Sequence, residues 1–239
     1  MEPALHIPTG YSFAFQPIVN AAEKQIVSYE ALVRGANNES AYQVFQQVER
    51  ADLYRFDEEC RVVAIEQASK LGLSCDLNLN FLPISLETSD TAISSTLMAA
   101  ERCGINTDRL ILEITENEAI NNFSNFVSAV NEYRASGFKI AIDDFGAGYS
   151  GLNLLAEFQP DIIKIDIKLC RDIQNNGPRQ AIIRGIVRTC LDLGIDILAE
   201  GVETLGEFMW FREEGIDLFQ GYLFARPGFN QLPLAFFPT

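Results

Sequence analysis

Acidic side chains stand at or near the ends of several apolar, β-rich runs in this sequence, and their types and spacing could bind metal ions. They occur in YEALVRG at 29–35, LEITE at 112–116, AIDDFGAG at 141–148 and LAEGVET at 198–204. If these runs are neighbouring strands, carboxylates would meet at one edge of the sheet: Glu30, Glu113, Asp143, Asp144 and Glu200. So dense a negative cluster, partly removed from water, needs bound cations to offset its repulsion.

The predicted ligands carry only oxygen donors. Asn80, in LNLN at 77–80, would add an amide oxygen to the carboxylates, and the single histidine is His6, near the N-terminus. All-oxygen sites favour Mg²⁺ or Mn²⁺ over zinc. The histidine count nearly excludes histidine-based triads and histidine-ligated zinc. Two divalent ions bridged by a carboxylate can activate a water and stabilise an in-line phosphoryl displacement.

The adjacent residues Asp143 and Asp144 set a geometric condition. Neighbouring side chains point to opposite faces of a regular strand, so both carboxylates can share a metal centre only where the strand ends or bends. Gly146 and Gly148 follow and would allow a bend at little steric cost. We therefore expect an irregular end to this strand.

Each motif also has a structural interpretation. A glutamate at a strand end is often solvated or part of the first turn of a helix, and DDFG could be a glycine-rich turn. Lys164 and Asp166, which share a face of DIIKID at 161–166, could form a structural ion pair. Only the combination of the motifs favours a metal-dependent site.

The stretch SYEALVRG at 28–35 fits two kinds of element. Its residue types favour a helix, in which Glu30 and Arg34 would lie one turn apart in solvent. As a continuation of the preceding apolar residues it would be a strand, with Ser28, Glu30, Leu32 and Arg34 on one face. The strand interpretation places the Glu30 carboxylate and the Arg34 guanidinium on one face of the strand, roughly 13 Å apart.

Short β-rich runs alternate with longer helical patterns along the chain, which predicts an α/β fold. The predicted strands are Phe13–Ile18, Gln25–Val33, Cys75–Asn80, Arg109–Ile114, Lys139–Asp143, Asp161–Asp166, Asp196–Ala199 and Leu218–Leu223. The helical patterns cover Ala41–Leu71, Thr91–Cys103, Asn121–Ser136, Gly151–Glu157, Arg179–Leu193 and Leu205–Glu214. This alternation suggests a TIM-type (β/α)8 barrel, whose chemistry sits at the carboxyl ends of the strands. The first two strands are too close for a crossover helix and should be antiparallel, and a doubly wound open sheet is the alternative.

The composition indicates one domain, spanning residues 1–239, in the cytoplasm. The chain has 239 residues, 48% of them hydrophobic, and no linker-like segment divides it. Residues 1–10 lack the features of an export signal, and we expect a flexible N-terminal segment there. The five cysteines are widely spaced without a CxxC motif, which predicts reduced thiols. The net charge of −15 argues against long nucleic acid, and no apolar run suits a membrane span.

An ordered set of motifs runs through almost the whole chain. It consists of QPI at 16–18, YEALVR at 29–34, LNLNF at 77–81, LEITE at 112–116, AIDDFGAGYS at 141–150, DIIKID at 161–166, AEGVET at 199–204 and QGYLFARP at 220–227. In this order and spacing the chain resembles the EAL-domain phosphodiesterases of bacterial cyclic di-GMP signalling. The resemblance implies a modified TIM barrel with one antiparallel strand near the N-terminus, which agrees with the short first connection.

The resemblance also implies roles for individual residues. The metal ligands would be Glu30, Asn80, Glu113, Asp143, Asp144 and Glu200. The catalytic residues would be Lys164, Glu200, Glu203 and Glu116. The substrate contacts would be Gln16, Leu32, Arg34, Asp166 and Gln220. Lys164 would contact the attacking water, Arg34 a phosphate, and Glu116 would support the loop after Asp144, whereas Glu200 matches a position assigned either to metal binding or to general-base duty.

The implied reaction is hydrolysis of one phosphodiester bond of cyclic di-GMP to the linear dinucleotide pGpG, with two Mg²⁺ or Mn²⁺ ions. The resemblance further implies a homodimer that associates through the loop after Asp143 and Asp144. Two positions depart from the family pattern, because Leu82 and Gly151 stand where serines are usual. We expect neither position to touch a metal ion.

Other functions compete with catalysis. Many family members have lost activity and serve as cyclic di-GMP receptors or protein-interaction modules, so the fold alone does not establish an enzyme. An unrelated metal-dependent barrel enzyme, of the aldolase or enolase type, would not need the full set of motifs. Every implied ligand position is filled in this sequence, which favours an active phosphodiesterase.

Overall fold

The computed structural model describes residues 10–82, 92–115, 123–147 and 151–238. Its strands are β1 (Tyr11–Asn20), β2 (Gln25–Gly35), β3 (Asp76–Asn80), β4 (Leu110–Thr115), β5 (Lys139–Phe145), β6 (Ile162–Ile165), β7 (Asp196–Ala199), β8 (Leu218–Phe219) and β9 (Gly228–Phe229). Its helices are α1 (Ala41–Phe45), α2 (Leu53–Lys70), α3 (Ala92–Cys103), α4 (Phe123–Ala135), α5 (Gly151–Glu157), α6 (Ile167–Cys170), α7 (Gly177–Leu193) and α8 (Leu205–Glu213). Short 3-10 helices cover Thr107–Arg109 and Ile173–Asn175.

A hairpin at the start of the chain closes the barrel. β1 pairs antiparallel with both β2 and β8, whereas β2 to β8 pair in sequence order as parallel neighbours. β1 is therefore the antiparallel strand of a closed eight-stranded barrel, and the short β9 pairs with β1 as an extra strand. This topology confirms the modified TIM barrel and excludes the open, doubly wound sheet.

Residues 28–35 lie on β2, so the helical interpretation of this stretch is wrong. Glu30 stands opposite Gln16 of β1 in the antiparallel register. Ala31 and Val33 are buried in the apolar layer on the other face of the strand. Because side chains alternate along a strand, Glu30 and the residues at even positions beyond it face the barrel interior.

The helical stretch predicted around Ala41–Leu71 is broken into α1 and α2. Ser40 caps α1 with a capping box, and the helix ends at Phe45. The break lets the rings of Phe45 and Phe56 pack edge to face, with centroids 5.5 Å apart. The sequence gives no sign of it, because residues 46–52 contain neither glycine nor proline.

The eighth strand is shorter than predicted, because the chain turns after Phe219. A Cβ atom on Gly221 would lie 2.0 Å from the carbonyl oxygen of Val202, so only glycine permits this approach. The turn leaves Gln220 buried with its amide beside Glu30. The end of β8 therefore contributes a side chain to the barrel interior without extending as a strand.

Apolar side chains fill the layer between the strands and the helices. The larger cluster surrounds β2 to β5 and includes Phe56 and Ile65 of α2. The second cluster joins α7 and α8 to the end of the barrel through Ile183, Phe211 and Phe219. This layer fixes the strands that carry polar residues into the interior. Over the described part of the chain, no helix combines the length and the apolar character that a membrane crossing requires.

Candidate active site

Lys164 lies at the centre of the candidate site. It projects from β6 into the barrel interior and is only 1% exposed, whereas Ile163 and Ile165 are buried in the apolar layer. Carboxylates from β2, β4, β5 and the end of β7 surround its ammonium group. The distances from Lys164 Nζ are 2.8 Å to Glu113 Oε1, 2.8 Å to Glu200 Oε1, 3.0 Å to Asp143 Oδ1 and 3.7 Å to Glu30 Oε2.

The electrostatics of this cluster favour additional cations. Burial alone would lower the pKa of Lys164, but the surrounding carboxylates outweigh burial and raise that pKa well above its usual range. Burial also raises the pKa of Glu113 well above its usual range, and the charges of Glu30 and Asp143 add to the effect. Burial raises the pKa of Glu200 to about 8, although Lys164 opposes the shift. One ammonium group therefore does not fully offset the carboxylates.

Neutral donors hold Glu30 in place. Gln220 Nε2 donates to Glu30 Oε2 at 2.7 Å, and Asn80 Nδ2 donates to Glu30 Oε1 at 3.4 Å. These bonds join β2 to the end of β3 and to the residue after β8. They fix the Glu30 carboxylate without adding a positive charge, so its attraction for a cation is retained.

Glu113 is the most deeply buried carboxylate of the cluster. Asn78 Nδ2 donates to Glu113 Oε1 at 2.8 Å. The other oxygen, Glu113 Oε2, is buried without a hydrogen-bond partner in the described structure. An unsatisfied buried carboxylate oxygen is costly, and a bound cation would satisfy it. Asn78 was not among the predicted site residues, although the alternation in DLNLN places it on the same face as Asn80.

A bend in β5 lets adjacent aspartates serve one centre. Asp143, Asp144 and Glu200 each offer a carboxylate oxygen, and these oxygens lie within 4.8 Å of one another. The register of β5 against β6 shifts between Ile142 and Phe145, and Asp144 itself has a φ of 54°. This finding confirms the expected irregularity, but the bend begins at the aspartate, a residue type that tolerates the left-handed region, before the glycines. The all-oxygen donor set fits a hard divalent cation.

Asp166 does not pair with Lys164 in the described structure, so the interpretation of these residues as a structural ion pair is wrong. Asp166 follows β6 and caps α6, where its Oδ1 accepts the backbone N–H of Lys168 at 2.8 Å. Burial, followed by the charges of Asp143 and Asp166, raises the pKa of Asp144 to about 6. A hydrogen bond between the carboxyl groups of Asp166 and Asp144 favours the protonated form of Asp144 and so also raises its pKa. Asp166 is therefore buried beside Asp144, and its expected role as a substrate contact stays a prediction.

Glu203 is not part of the cluster around Lys164. Its carboxylate is exposed and pairs with Arg171 at 2.8 Å. The buried carboxylate nearby belongs to Glu207, which accepts backbone N–H groups of Asp172 at 3.0 Å, Glu203 at 2.9 Å and Thr204 at 3.0 Å. Sequence reasoning missed Glu207, although the T-x-x-E spacing from Thr204 is that of a capping box and could have indicated it.

The predicted substrate residues on β1 and β2 lie beside the cluster. Arg34 is four residues beyond Glu30 towards the rim, and its Nη1 donates to a backbone carbonyl of β2 at 2.8 Å. Burial lowers the pKa of Arg34, while Glu30 opposes the shift. Gln16 donates through Nε2 to the carbonyl oxygen of Ala225 at 3.2 Å. Leu32 lies between Glu30 and Arg34 on the same face of the strand.

A cavity of about 280 Å³ opens beside these groups. Its polar lining includes Glu30, Asn80 and Glu113, and Leu32 also lines it. Most of the remaining lining is apolar and comes from β2, β3 and α2. A largely apolar pocket with a few convergent polar groups is typical of a small-molecule site.

Some predicted features lie outside the described residues. These are Glu116, the loop residues 148–150 with Gly148, and His6 with nearly all of the N-terminal segment. The expected support of the DDFGAGYS loop by Glu116 therefore stays a prediction.

Comparisons with known proteins agree with this geometry. The EAL domain model matches residues 9–227. The blue light- and temperature-regulated antirepressor BluF of Escherichia coli is 38% identical over 228 residues, which cover 95% of this chain and 56% of BluF. Cyclic di-GMP phosphodiesterase PdeR of Escherichia coli is 33% identical over 169 residues, covering 70% of this chain and 25% of PdeR. This chain thus matches about half the length of BluF and about a quarter of PdeR.

A solved structure shows the same fold. BlrP1 of Klebsiella pneumoniae, in a manganese and cyclic di-GMP complex, has a TM-score of 0.92 and 43% identity, covering 97% of this chain and 60% of that chain. The family match, the barrel topology and the converging carboxylates lead to the same assignment. This chain belongs to the EAL domain family.

Proposed function

We propose that this chain is a metal-dependent phosphodiesterase that hydrolyses one phosphodiester bond of cyclic di-GMP, gives linear pGpG and so lowers the level of the messenger. The observation that carries the proposal is the buried convergence of Glu30, Glu113, Asp143 and Glu200 on Lys164. The name of the similar protein PdeR and the manganese and cyclic di-GMP complex of BlrP1 support the choice of substrate and metal.

The proposed ligands of two Mg²⁺ or Mn²⁺ ions are Glu30, Asn80, Glu113, Asp143, Asp144 and Glu200. The bound ions would supply Lewis-acid stabilisation of the phosphoryl oxygens and activation of a water. Two features of the chain favour the binding of these ions. Among the described residues Glu113 Oε2 has no hydrogen-bond partner, and oxygens of Asp143, Asp144 and Glu200 lie within 4.8 Å of one another.

Lys164 and Glu200 would orient the attacking water and accept its proton. The raised pKa of Lys164 keeps its Nζ charged at neutral pH, so it can donate a hydrogen bond to the water oxygen. Glu200 Oε1 lies 2.8 Å from Lys164 Nζ and could accept the proton. Metal binding and proton acceptance are alternative roles for Glu200, and substitution by glutamine would separate them, because a glutamine oxygen can still bind a metal ion.

Arg34 and the cavity would bind the substrate. Arg34 stands at the rim of β2, where its guanidinium can pair with a phosphate. This local positive charge, with Lys164 and the metal ions, would overcome the overall negative charge of −15. Leu32 would contact the organic part of the ligand through the apolar lining of the cavity. Gln16, Asp166 and Gln220 are the remaining proposed substrate contacts.

The decisive experiment is incubation of the purified protein with cyclic di-GMP and Mg²⁺ or Mn²⁺, followed by chromatography. We expect linear pGpG to appear with either metal and to disappear when a chelator is added. A Glu30→Ala variant serves as the inactive control. If the ligand binds but no linear product forms at any metal concentration, the proposal of catalysis fails.

A non-catalytic regulator is the second candidate, because the similar protein BluF is named as an antirepressor. In that case cyclic di-GMP would bind without being cleaved. Direct binding measured by calorimetry beside the chromatographic assay separates the two candidates. Binding with turnover supports the phosphodiesterase, and binding without turnover supports the regulator.

The proposed quaternary structure is a homodimer formed through the loop after Asp143 and Asp144. Leu152, which follows this loop on α5, is 62% exposed and offers an apolar contact. Light scattering during size-exclusion chromatography should give twice the mass of 26.6 kDa. A monomer at all protein concentrations, with and without Mn²⁺, would contradict this proposal.

A further inference from the structure

Asp57 and Arg61 form a buried ion pair one turn apart on α2. Asp57 is 5% exposed and Arg61 is 1% exposed. Removing two charges from water costs several kcal/mol per ion, and the attraction within the pair does not always repay that cost. Neither residue has a role in the metal or substrate contacts described above. The pair therefore calls for a reason beyond the stability of one helix.

Both partners contact the segment that directly follows Asn80. Asp57 Oδ2 accepts the backbone N–H of Leu82 at 3.4 Å. The guanidinium of Arg61 stacks over the ring of Phe81, with 4.8 Å between its central carbon and the ring centroid. The ion pair thus holds the two residues next to a proposed metal ligand.

The same segment is tied to a second proposed ligand. The backbone N–H of Phe81 donates to the carbonyl oxygen of Glu113 at 2.9 Å. Arg61 is fixed in turn by α3, because its Nε donates to Thr96 Oγ1 at 3.4 Å. The contacts form a continuous path from α2 and α3 to the carboxyl ends of β3 and β4, where Asn80 and Glu113 lie.

The ion pair also lines the cavity of the candidate site. Asp57 and Arg61 line the same cavity of about 280 Å³ as Glu30, Asn80 and Glu113. Arg61 Nη2 is buried without a hydrogen-bond partner in the described structure, so the guanidinium is not fully satisfied by the helices that hold it. An ion pair that only stabilised the helix would not need to line the same cavity as the proposed metal ligands.

We infer that Asp57 and Arg61 are positioning residues of the metal site, which fix the backbone of residues 81 and 82 and thereby set the place of Asn80. This inference rests on the proposed function, because it takes Asn80 as a metal ligand. Groups that orient a metal ligand from outside commonly change metal affinity by about 10-fold to 100-fold when they are removed. The pair would act on the metal ion through Asn80 and would not itself be a metal ligand.

Two double variants separate the effect of the hydrogen bond to the Leu82 N–H from the effect of the buried charges. Asp57→Asn/Arg61→Met keeps an oxygen that can accept the Leu82 N–H, whereas Asp57→Leu/Arg61→Met offers no acceptor in a side chain with the same branching and the same number of non-hydrogen atoms. Both variants remove both charges, so neither leaves an unpaired charge in the interior. Arg188→Met/Asp192→Asn removes an exposed pair with the same spacing on α7 and is the surface control.

The measurement is calorimetric titration of the metal-free proteins with Mn²⁺, accompanied by denaturant unfolding. We expect the dissociation constant for Mn²⁺ to rise about tenfold in the leucine double variant and to stay within about threefold of wild type in the asparagine double variant and the surface control. The two double variants should unfold at similar denaturant concentrations, so that stability alone does not explain the difference.

Three outcomes overturn the inference. Equal Mn²⁺ affinity in wild type and both double variants shows that the pair does not position the site. An equal loss in both double variants shows that the acceptor for Leu82 is not the relevant contact. A wild-type protein that binds no Mn²⁺ removes this inference together with the proposed metal site, so the two failures are distinguishable.

A measurement on the wild-type protein tests the contact between Asp57 and the Leu82 N–H without any substitution. If the hold on Leu82 and the metal site support each other, Mn²⁺ binding should slow hydrogen exchange of the Leu82 amide by about tenfold, because coupling between two sites is reciprocal. Exchange at an unchanged rate under saturating Mn²⁺ contradicts the inference.

Discussion

Lys164 places one positive charge among carboxylates from β2, β4, β5 and the end of β7. Such a lysine serves the protein in two conditions. Without metal ions it is the counter-charge that allows these carboxylates to be buried together. With metal ions present it can donate hydrogen bonds to a water and to the carboxylates that remain free. The residue therefore links the stability of the barrel to its proposed chemistry.

Removal of the Lys164 charge should destabilise the metal-free protein. We expect Lys164→Met to lower the free energy of unfolding by about 3 to 5 kcal/mol, because it leaves buried carboxylates without a counter-charge. Lys139→Met, which breaks a partly exposed pair with Asp76 at 2.9 Å, should cost less than about 1 kcal/mol. Urea unfolding at neutral pH with a chelator measures both. Equal losses of unfolding free energy in the two variants would show that the buried Lys164 contributes no more to stability than a partly exposed ion pair.

The backbone of Asp144 gives a second test at the residue scale. Its φ of 54° lies in the left-handed region, which asparagine tolerates better than alanine. Asp144→Asn and Asp144→Ala should both lose metal affinity, since both lose the carboxylate. We expect the alanine variant to be less stable than the asparagine variant by about 1 kcal/mol, measured by urea unfolding without metal. Identical stabilities would argue against strain at this position.

At the scale of the elements, strand periodicity predicted most of the framework. Alternation of apolar and polar residues along DLNLN and KIAID predicts each strand and the face that points inward. The segment between the first two strands is too short for a crossover helix, so these strands must pair antiparallel. The convergence of distant carboxylates was predictable because parallel strands end at the same rim of a barrel. The stretch 28–35 was ambiguous in isolation, and β2 is a strand because pairing with β1 and β3 outweighs the local helix preference.

Other contacts could not be predicted because they depend on tertiary packing. The break between α1 and α2 follows from packing of Phe45 on Phe56, which no local pattern shows. The partner of Asn78 is 35 residues away, so alternation gives its face and not its hydrogen bond to Glu113. Glu203 points to Arg171 because the loop after β7 takes its path from the bonds that Glu207 accepts.

Glu207 should determine the acid stability of the loop between β7 and α8. Burial alone would raise the pKa of Glu207, but the backbone N–H groups of Asp172, Glu203 and Thr204 outweigh it and lower the pKa. A carboxyl group with a lowered pKa in the folded state adds stability above its unfolded pKa of about 4.3, and this stability is lost as pH falls through the folded pKa.

We therefore expect Glu207→Gln to lose about 1.5 to 3 kcal/mol of unfolding free energy at pH 7, where the charged carboxylate accepts its bonds. The difference from wild type should shrink as the pH is lowered below about 4. Glu213→Gln, at an exposed position on the same helix, is the control and should change little. Urea unfolding between about pH 3 and pH 7 measures the difference. A difference that does not vary with pH would mean that the lost bonds do not depend on the charge.

At the scale of the whole molecule, we expect bound cations to stabilise the acidic barrel. The chain carries a net charge of −15, and four carboxylates gather around one buried lysine at the carboxyl ends of the strands: Glu30, Glu113, Asp143 and Glu200. Repulsion between like charges destabilises the folded state, and the effect is largest where the charges are removed from water. A ligand that binds the folded state and not the unfolded chain stabilises the whole fold by mass action.

The number of bound ions can therefore be read from the unfolding free energy. Above its dissociation constant, each ion that binds only the folded state adds about 1.4 kcal/mol for every tenfold increase in free metal concentration. Two ions should give a slope of about 2.8 kcal/mol per decade of Mn²⁺, and Glu30→Ala should reduce that slope over the same concentrations. Urea unfolding over a series of buffered Mn²⁺ concentrations provides the slope, with Asp192→Asn as an exposed control on α7. A slope of about 1.4 kcal/mol per decade would indicate a single ion, and a slope of zero would remove the metal site.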